Sequence, residues 1–591
     1  MIVRSDRSKS LPLNVVGSSI FGRYPKISIE KTLNMFISDG WMVPYAGYQI
    51  VEQLLNQLGV EGRALHTSTK LNRMIGVVDN NVWLIDVFFD QDLRMAFDAS
   101  AVKIGTIATS TGVVYVAENN KPQVVLSDGV NIYYYDPTLT PSFQIAYKDT
   151  KTPPTPITFT PGYIDYHDTY ILAAASNDTA VSPTASNTWQ LGIIDSGGMT
   201  PTGKLIFPAS PATVGQLQTK PDNTQAVVRF PSRGNLILVM GSTVTEPWYD
   251  LGYQQFPYVR SDSFTIDYGC LNPATIATMD DLVVWLAINE KSGPVIMFTT
   301  GGMPEKITTD GIDYLFSQLT NPADSQGFIY RQDGHIFYHI NFYTDNLSLF
   351  YDFNTKKFFH ASDQNLNYFI ANEVAFFNNQ YYFLTNKDGN LYAFDTIFTT
   401  YQHVEIPPDT TTPIIITDEI PRFRSCMSIR DPSQQYFIAN DLGFTIETGE
   451  TPYQQQDLGE IFWITQDGKF VITQGNSIFL VTQDGNFLVT QDDNYIVSQQ
   501  TDSTDFDFLI FNQRANTGTS NLSLPRVDLS ISIDGGQSFG SDFPYYLNPP
   551  GVRRSRLMWW QAGIANDFTP LFKFWGMGRF VVWDGIINVR Q

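Results

Sequence analysis

Residues 71–86 read LNRMIGVVDNNVWLID, an apolar hairpin whose second, aromatic strand ends on Asp86. The same theme returns at 124–136 (VVLSDGVNIYYYD), 162–174 (GYIDYHDTYILAA) and 234–250 (GNLILVMGSTVTEPWYD). It returns again at 280–300 around DDLVVWLAI, at 327–360 (GHIFYHINFY, then LFYDFNTKKFFH) and at 378–395 (NNQYYFLTNKDGNLYAFD). Short alternating runs separated by Gly, Asn, Asp and Pro are strand signals. A spacing of roughly forty to fifty residues is the size of a four-stranded blade. One blade cannot bury both of its faces, whereas a closed ring buries them all and leaves only short edges. The expected fold is therefore all-β, a β-propeller of six or seven blades. Unrelated meanders in sandwiches are the competing reading. Residues 51–58 and 309–319 are two short helix candidates.

Composition agrees. The chain has 591 residues, enough for more than one core. Hydrophobic residues make up 43% and charged residues 16%, which argues against disorder. The 42 Phe and 30 Tyr suit pleated surfaces. A net charge of −22 disfavours sequence reading of nucleic acid, which needs a basic surface. It does not exclude a surface that DNA slides past without sticking, a role that repulsion from an acidic wall would serve. Cys270 and Cys426 cannot build a disulfide framework or a zinc knuckle and read as buried apolar residues. Residues 1–22 carry charges and lack a signal-peptide core, and no stretch approaches the length of a membrane span. The expectation is assembly in a cytoplasm without membrane insertion.

Residues 406–421 (IPPDTTTPIIITDEIP) mark a boundary. The expected division is an N-terminal arm at 1–50, the propeller at 51–412, a β-sandwich-like domain split between 413–445 and 506–591, and an insert at 446–505. In the insert an apolar-Thr-Gln theme places hydroxyls at Thr465, Thr473, Thr482, Thr490 and Ser498, eight, nine, eight and eight residues apart. Asp467-Gly468 and Asp484-Gly485 are two-residue hairpin turn signals, so the segment reads as a regular antiparallel meander. It is either a protruding contact module or a sheet folded back on its own domain.

No catalytic constellation, cofactor motif or metal-ligand set stands out. His335 and His339 share a strand face but read as structural histidines. Ser532, Asp534, Gly536 and Phe539 fit the Ser-x-Asp-x-Gly-x-x-aromatic Asp-box of sialidase propellers, a structural turn. The closing segment carries Arg553, Arg554, Arg556, Lys573, Arg579 and Arg590 among Trp559, Trp560, Trp575 and Trp583. Arg and Trp are enriched at interface hot spots, which makes Arg553, Arg554, Trp559, Trp560 and Arg579 candidate partner contacts. Core tryptophans with a solvated basic rim are the alternative.

Several segments in order resemble a known family. They are Leu33-Asn34-Met35-Phe36, Gly40-Trp41 and Val43-Pro44-Tyr45-Ala46-Gly47, then Gly241-Ser242 leading into Thr245-Glu246-Pro247-Trp248. Asp267-Tyr268-Gly269-Cys270, Val284-Trp285-Leu286, Pro304-Glu305-Lys306-Ile307-Thr308, Gly334-His335, Tyr351-Asp352 and Asp388-Gly389-Asn390-Leu391-Tyr392 continue the order. The chain resembles the packaged-DNA stabilization proteins of short-tailed bacteriophages, also called tail hub or nozzle proteins. It departs from them in having Ala46-Gly47 where they have Pro-Gly, and its Thr-Gln insert has no counterpart. The resemblance implies a propeller with a second β domain, assembled as a homohexamer in the virion tail. The partners it implies are the portal-adaptor ring and tail fibres, spikes or a needle. Packaged double-stranded DNA would pass through the lumen without sequence-specific binding. It implies neither a catalytic site nor a cofactor. A propeller-type glycan-binding or glycan-cleaving tail protein is the alternative.

Overall fold

The computed structural model describes residues 8–22, 30–90, 96–182, 184–195, 202–230, 233–261, 265–406, 414–430, 435–448, 463–464, 470–473, 480–482, 520–521, 525–547, 554–576 and 578–590. From residue 62 to residue 395 the chain forms seven consecutive antiparallel sheets. Each contains one of the seven hairpins recognised in the sequence. The first runs through strands Gly62–Ser68, Arg73–Val78, Asn81–Asp90 and Ala96–Thr106, and the seventh through Ala371–Phe377, Gln380–Thr385 and Asp388–Asp395.

The apolar pattern explains why these sheets form a ring. Neighbouring residues of a strand point to opposite faces. In blade four, Leu236, Leu238 and Met240 pack with Val283, Trp285 and Ala287 of blade five. The intervening Ile237 and Val239 pack with Trp189 and Leu191 of blade three. The same division recurs around the molecule. Ile75 and Val77 of blade one meet Val124 and Leu126 of blade two, while Met74 and Ile85 meet Tyr382 and Leu391 of blade seven. The last contact closes the circle, so the propeller has seven blades and a buried core in each gap.

The seventh blade takes its fourth strand from far upstream. Gly47–Leu58 pairs antiparallel with Asp388–Asp395. This corrects the helix expected at 51–58. Three register shifts interrupt the pairing and break the two-residue alternation, so the apolar spacing imitated a helical period. The second helix candidate does form, as Asp310–Ser317, with Ile312 and Phe316 buried between blades five and six.

A β-sandwich sits on the ring. One sheet combines Ser8–Leu13, Gly585–Arg590, Phe437–Thr448, Phe580–Val582, Trp41–Pro44 and Met35–Ser38, with Arg554–Ala565 along the other side of Phe437–Thr448. The other contains Arg422–Ser425, Asp567–Trp575, Arg526–Ser532 and Phe543–Tyr546, and runs into blade six through Lys31–Leu33. The two enclose Met35, Phe444, Trp559, Phe572, Phe574 and Val582. Phe437–Thr448, before the insert, and Arg526–Ser532, after it, lie in the two facing sheets and share their core through Phe444, Val527 and Leu529. The residues expected as an N-terminal arm supply strands to both sandwich sheets and to blade seven.

Within the insert, Trp463–Ile464, Phe470–Thr473 and Leu480–Thr482 pair as an antiparallel sheet. Ile464 faces Phe470, which leaves five residues between them, where a two-residue Asp467-Gly468 turn requires an even number. The other expected strands of 446–505 lie outside the described residues.

Candidate interaction surface

The residue types that promised partner contacts sit on one sandwich strand, and the strand divides them. In Arg554–Ala565 adjacent side chains must point to opposite faces. Trp559 turns inward, is 8% exposed, and donates its indole N–H to the Phe543 carbonyl at 3.0 Å. It is a core residue, and its expected role at a partner surface is corrected. Trp560 turns outward and is 71% exposed. Arg554 lies over the Trp583 ring, 5.0 Å from its centroid, and pairs with Glu447 at 3.4 Å. Trp583 in turn meets Trp41 edge to face at 4.8 Å. Arg579 is exposed but pairs at 3.1 Å with Asp333 in a turn of blade six, so it joins sandwich to propeller within the chain. Arg553 lies outside the described residues.

The outward face around Trp560 is chemically mixed. Ile564 stands opposite Ile438, and both are exposed. Met558 stands opposite Gly443, beyond which lies exposed Ile586. A Cβ on Gly443 would fall 2.4 Å from the Met558 sulfur, so glycine lets that side chain lie across the sheet. Asp441 accepts a hydrogen bond from Asn588 Nδ2 at 2.7 Å, and Glu447 is held by Arg554. The face therefore presents Trp, Ile, Met and Arg with its two carboxylates already engaged, the composition of a protein-binding surface.

The Asp-box forms the turn between Arg526–Ser532 and Phe543–Tyr546. Asp534 Oδ1 accepts the Gln537 and Ser538 N–H groups at 2.9 and 3.0 Å and the Ser532 hydroxyl at 2.6 Å. These bonds hold its carboxyl well below the usual range. The Gly536 N–H donates to Ser532 Oγ at 2.8 Å, and Gly536 has a positive φ of 92°. Phe539 is exposed at the end of the turn.

His335 and His339 both make contacts inside the fold. His335 Nδ1 lies 2.9 Å from Asp352, and His339 is buried between Tyr45 and Asn341, with desolvation pushing its pKa down to about 3. Cys270 and Cys426 are buried in separate cores. No group of three or more potential metal ligands is found among the described residues. Among them, no helix is long and apolar enough to cross a membrane.

At the propeller axis a cavity of about 150 Å³ is lined by His66, Tyr115, Tyr163 and Glu373. Loss of hydration pushes the Glu373 carboxyl from its ordinary 4.5 up to about 8. The folded state therefore binds this proton more tightly than the unfolded chain. Its contribution to stability is complete below about pH 4.5, is lost as pH rises to about 8, and is level above. Glu373→Gln should remove that slope, leaving the variant more stable than the parent above pH 8 by on the order of 2–4 kcal/mol. Urea midpoints of both proteins at acidic and alkaline pH measure it.

A closed seven-bladed ring with a sandwich set on it defines a β-propeller protein with a second β domain. The chain belongs to the phage stabilisation family, described as bacteriophage P22 Gp10, beta-propeller, whose family model matches residues 87–398, more than half of the chain. It is thus a structural protein of the bacteriophage virion tail. The matched segment spans the block from Gly241 to Trp248 and the later hairpins. The N-terminal strands and the sandwich lie outside it. No curated protein matches the chain. Similar solved structures include the N-terminal domain of Nup159, at 10% identity and a TM-score of 0.34, covering 59% of this chain and 95% of that one. A calcium structure of Trichoderma reesei Carbohydrate-Active Enzymes Family AA12 has 11% identity and a TM-score of 0.32, covering 61% and 97%. The computationally designed Ika8 protein has 11% identity and a TM-score of 0.30, covering 59% and 99%. Likeness at this level decides nothing further about the chain.

Proposed function

We propose that this tail protein is the hub, or nozzle, of a short-tailed phage. Six copies form a ring beneath the portal-adaptor complex, extend the DNA channel, retain the packaged genome and carry the tail appendages. The reading makes it a scaffold rather than an enzyme. The observation that carries it is the outward sandwich face, where exposed Trp560, Ile564 and Ile438 lie with Arg554, residue types enriched at protein contacts, on a chain whose family is one of virion tail proteins. The net charge of −22 per copy supports a lumen that DNA passes rather than binds.

Mass measurement of the purified chain, alone and with the adaptor, tests the proposal. A hexamer that joins the adaptor ring is expected, and a strict monomer that never joins it overturns the reading. Trp560→Ala should weaken assembly by at least about tenfold, the scale of an interface hot spot, while the monomer keeps its melting temperature because the side chain lies outside the core. Native mass spectrometry and a thermal melt on the same preparation separate the two effects.

A further inference from the structure

Deeply placed carboxylates elsewhere in the fold are neutralised or capped. Asp363 has Lys387 at 2.8 Å and Asp352 has His335 at 2.9 Å. Glu246 has no cation but accepts the Gln218 and Thr219 N–H groups and the Trp248 indole. Glu373 has neither arrangement. Its carboxyl receives one hydrogen bond, from the Gln326 amide, and the charge that acts on it is a second carboxylate, Glu61. It lines the axial cavity of about 150 Å³ from the innermost strand of blade seven. Tyr115 and Tyr163 line the same cavity from Tyr115–Glu118 of blade two and Thr160–His167 of blade three, with ring centroids 5.1 Å apart. Neither phenol hydroxyl has a hydrogen-bond partner among the described residues. Both hydroxyls keep accessible surface, as does the second oxygen of Glu373.

Three open oxygens around one cavity set the chemistry of the ligand. A primary ammonium brings one positive charge and three N–H donors, one for each oxygen. Its charge is what the Glu373 carboxylate lacks, because a carboxylate taken out of water needs a partner. The two tyrosine rings add attraction for a cation. A short alkyl stem then lies against Leu65, Val114, Ile164 and Ile276, the apolar part of the wall. A divalent metal fits worse, since it calls for several carboxylates and no group of three or more potential metal ligands is found among the described residues. A bare monovalent ion fits worse too, because a cavity of about 150 Å³ already accommodates a molecule as large as benzene. We propose that the axial cavity binds a small primary alkylammonium ion, held by Glu373, Tyr115 and Tyr163.

A proton and the ammonium compete for the same carboxylate, so binding strengthens as pH rises through about 8. The other groups around the carboxyl are engaged or neutral. Tyr343 donates to Gln326 at 3.0 Å, Glu61 accepts the Gly112 N–H at 3.0 Å, and His66 lies 3.7 Å from Glu118. Burial holds the ionisation of Tyr115 and Tyr163 above its ordinary value. Saturation-transfer NMR on the full chain at about pH 9, where n-butylammonium is still protonated, should show transfer to it with millimolar affinity. Tetramethylammonium, which has the charge but no N–H donor, should receive none. Glu373→Gln should weaken butylammonium binding by about tenfold or more, the scale of a charge-assisted hydrogen bond. Tyr163→Phe should weaken it by less and leave the melting temperature unchanged, because that hydroxyl bonds nothing in the chain. Absence of transfer to butylammonium overturns the proposal, and so does transfer that Glu373→Gln leaves unchanged. Equal binding of tetramethylammonium, or displacement of butylammonium by an equal concentration of potassium, also overturns it, since the site would then read charge alone.

Discussion

Replacing Arg63 with methionine should destabilise the propeller by on the order of 4 kcal/mol or more, one of the largest losses available from a single change. The guanidinium is 1% exposed and uses all five of its N–H donors. Nε donates to the Gly112 carbonyl at 2.5 Å, and Nη1 to the Asp79 and Thr109 carbonyls at 2.9 and 2.7 Å. Nη2 donates to the Thr111 carbonyl and the Thr109 hydroxyl, both at 2.8 Å. The crossing from blade one to blade two thus closes around a side chain instead of around its own backbone. Methionine fills much of the volume but leaves four carbonyls without their donors, those of half-buried Asp79 and Thr109 costing about 1–3 kcal/mol each and those of exposed Thr111 and Gly112 less. Lysine, with three donors and no planar fork, should recover only part of the loss. Equilibrium urea unfolding of the three proteins measures this, and a loss under about 1 kcal/mol would show that water replaces the guanidinium.

Arg424→Met should cost about 3–5 kcal/mol and free the first strands of the sandwich. Arg424 is fully buried and pairs with Glu30 at 2.5 Å. It also donates to the carbonyls of Val15 and Ser18 at 2.9 and 3.1 Å and to the Thr32 hydroxyl at 3.2 Å. The chain approaches so closely that a Cβ on Gly17 would lie 2.0 Å from Nη2. Removing the cation strands the Glu30 carboxylate, so adding Glu30→Gln should restore part of the loss. Hydrogen exchange should rise first in residues 14–20 and 30–33, ahead of the blades. Uniform exchange across the ring would refute that order.

The blades were legible because their signal is local. A strand buried on both faces, such as LILVMG in blade four, remains an apolar run between turn residues whatever it packs against. The closing strand was not legible, because Gly47–Leu58 becomes a strand only through Asp388–Asp395, and its bulges erased the alternation. At the candidate surface, composition pointed to the right strand but not to the right side of it. Trp559 and Trp560 are adjacent and must face opposite ways, yet which one is core depends on pairing with Leu442 and Asp441 more than one hundred residues away. Arg579 looked free because its partner, Asp333, is 246 positions upstream. Glu373 left no trace in the pattern, since a carboxyl without a cation beside it exists only once its neighbours are in place.

The pairing of Ser8–Leu13 with Gly585–Arg590, together with the late closure of blade seven, also governs how the molecule is made. A ribosome adding about 5–20 residues per second takes on the order of a minute between the two partners of the sandwich edge. Throughout that time Ser8–Leu13 has no mate, and until Asp388–Asp395 has emerged the ring is an open arc with an exposed apolar flank at each end. Folding is therefore completed only once nearly the whole chain has emerged, and a stalled or truncated product would present two sticky edges to its neighbours.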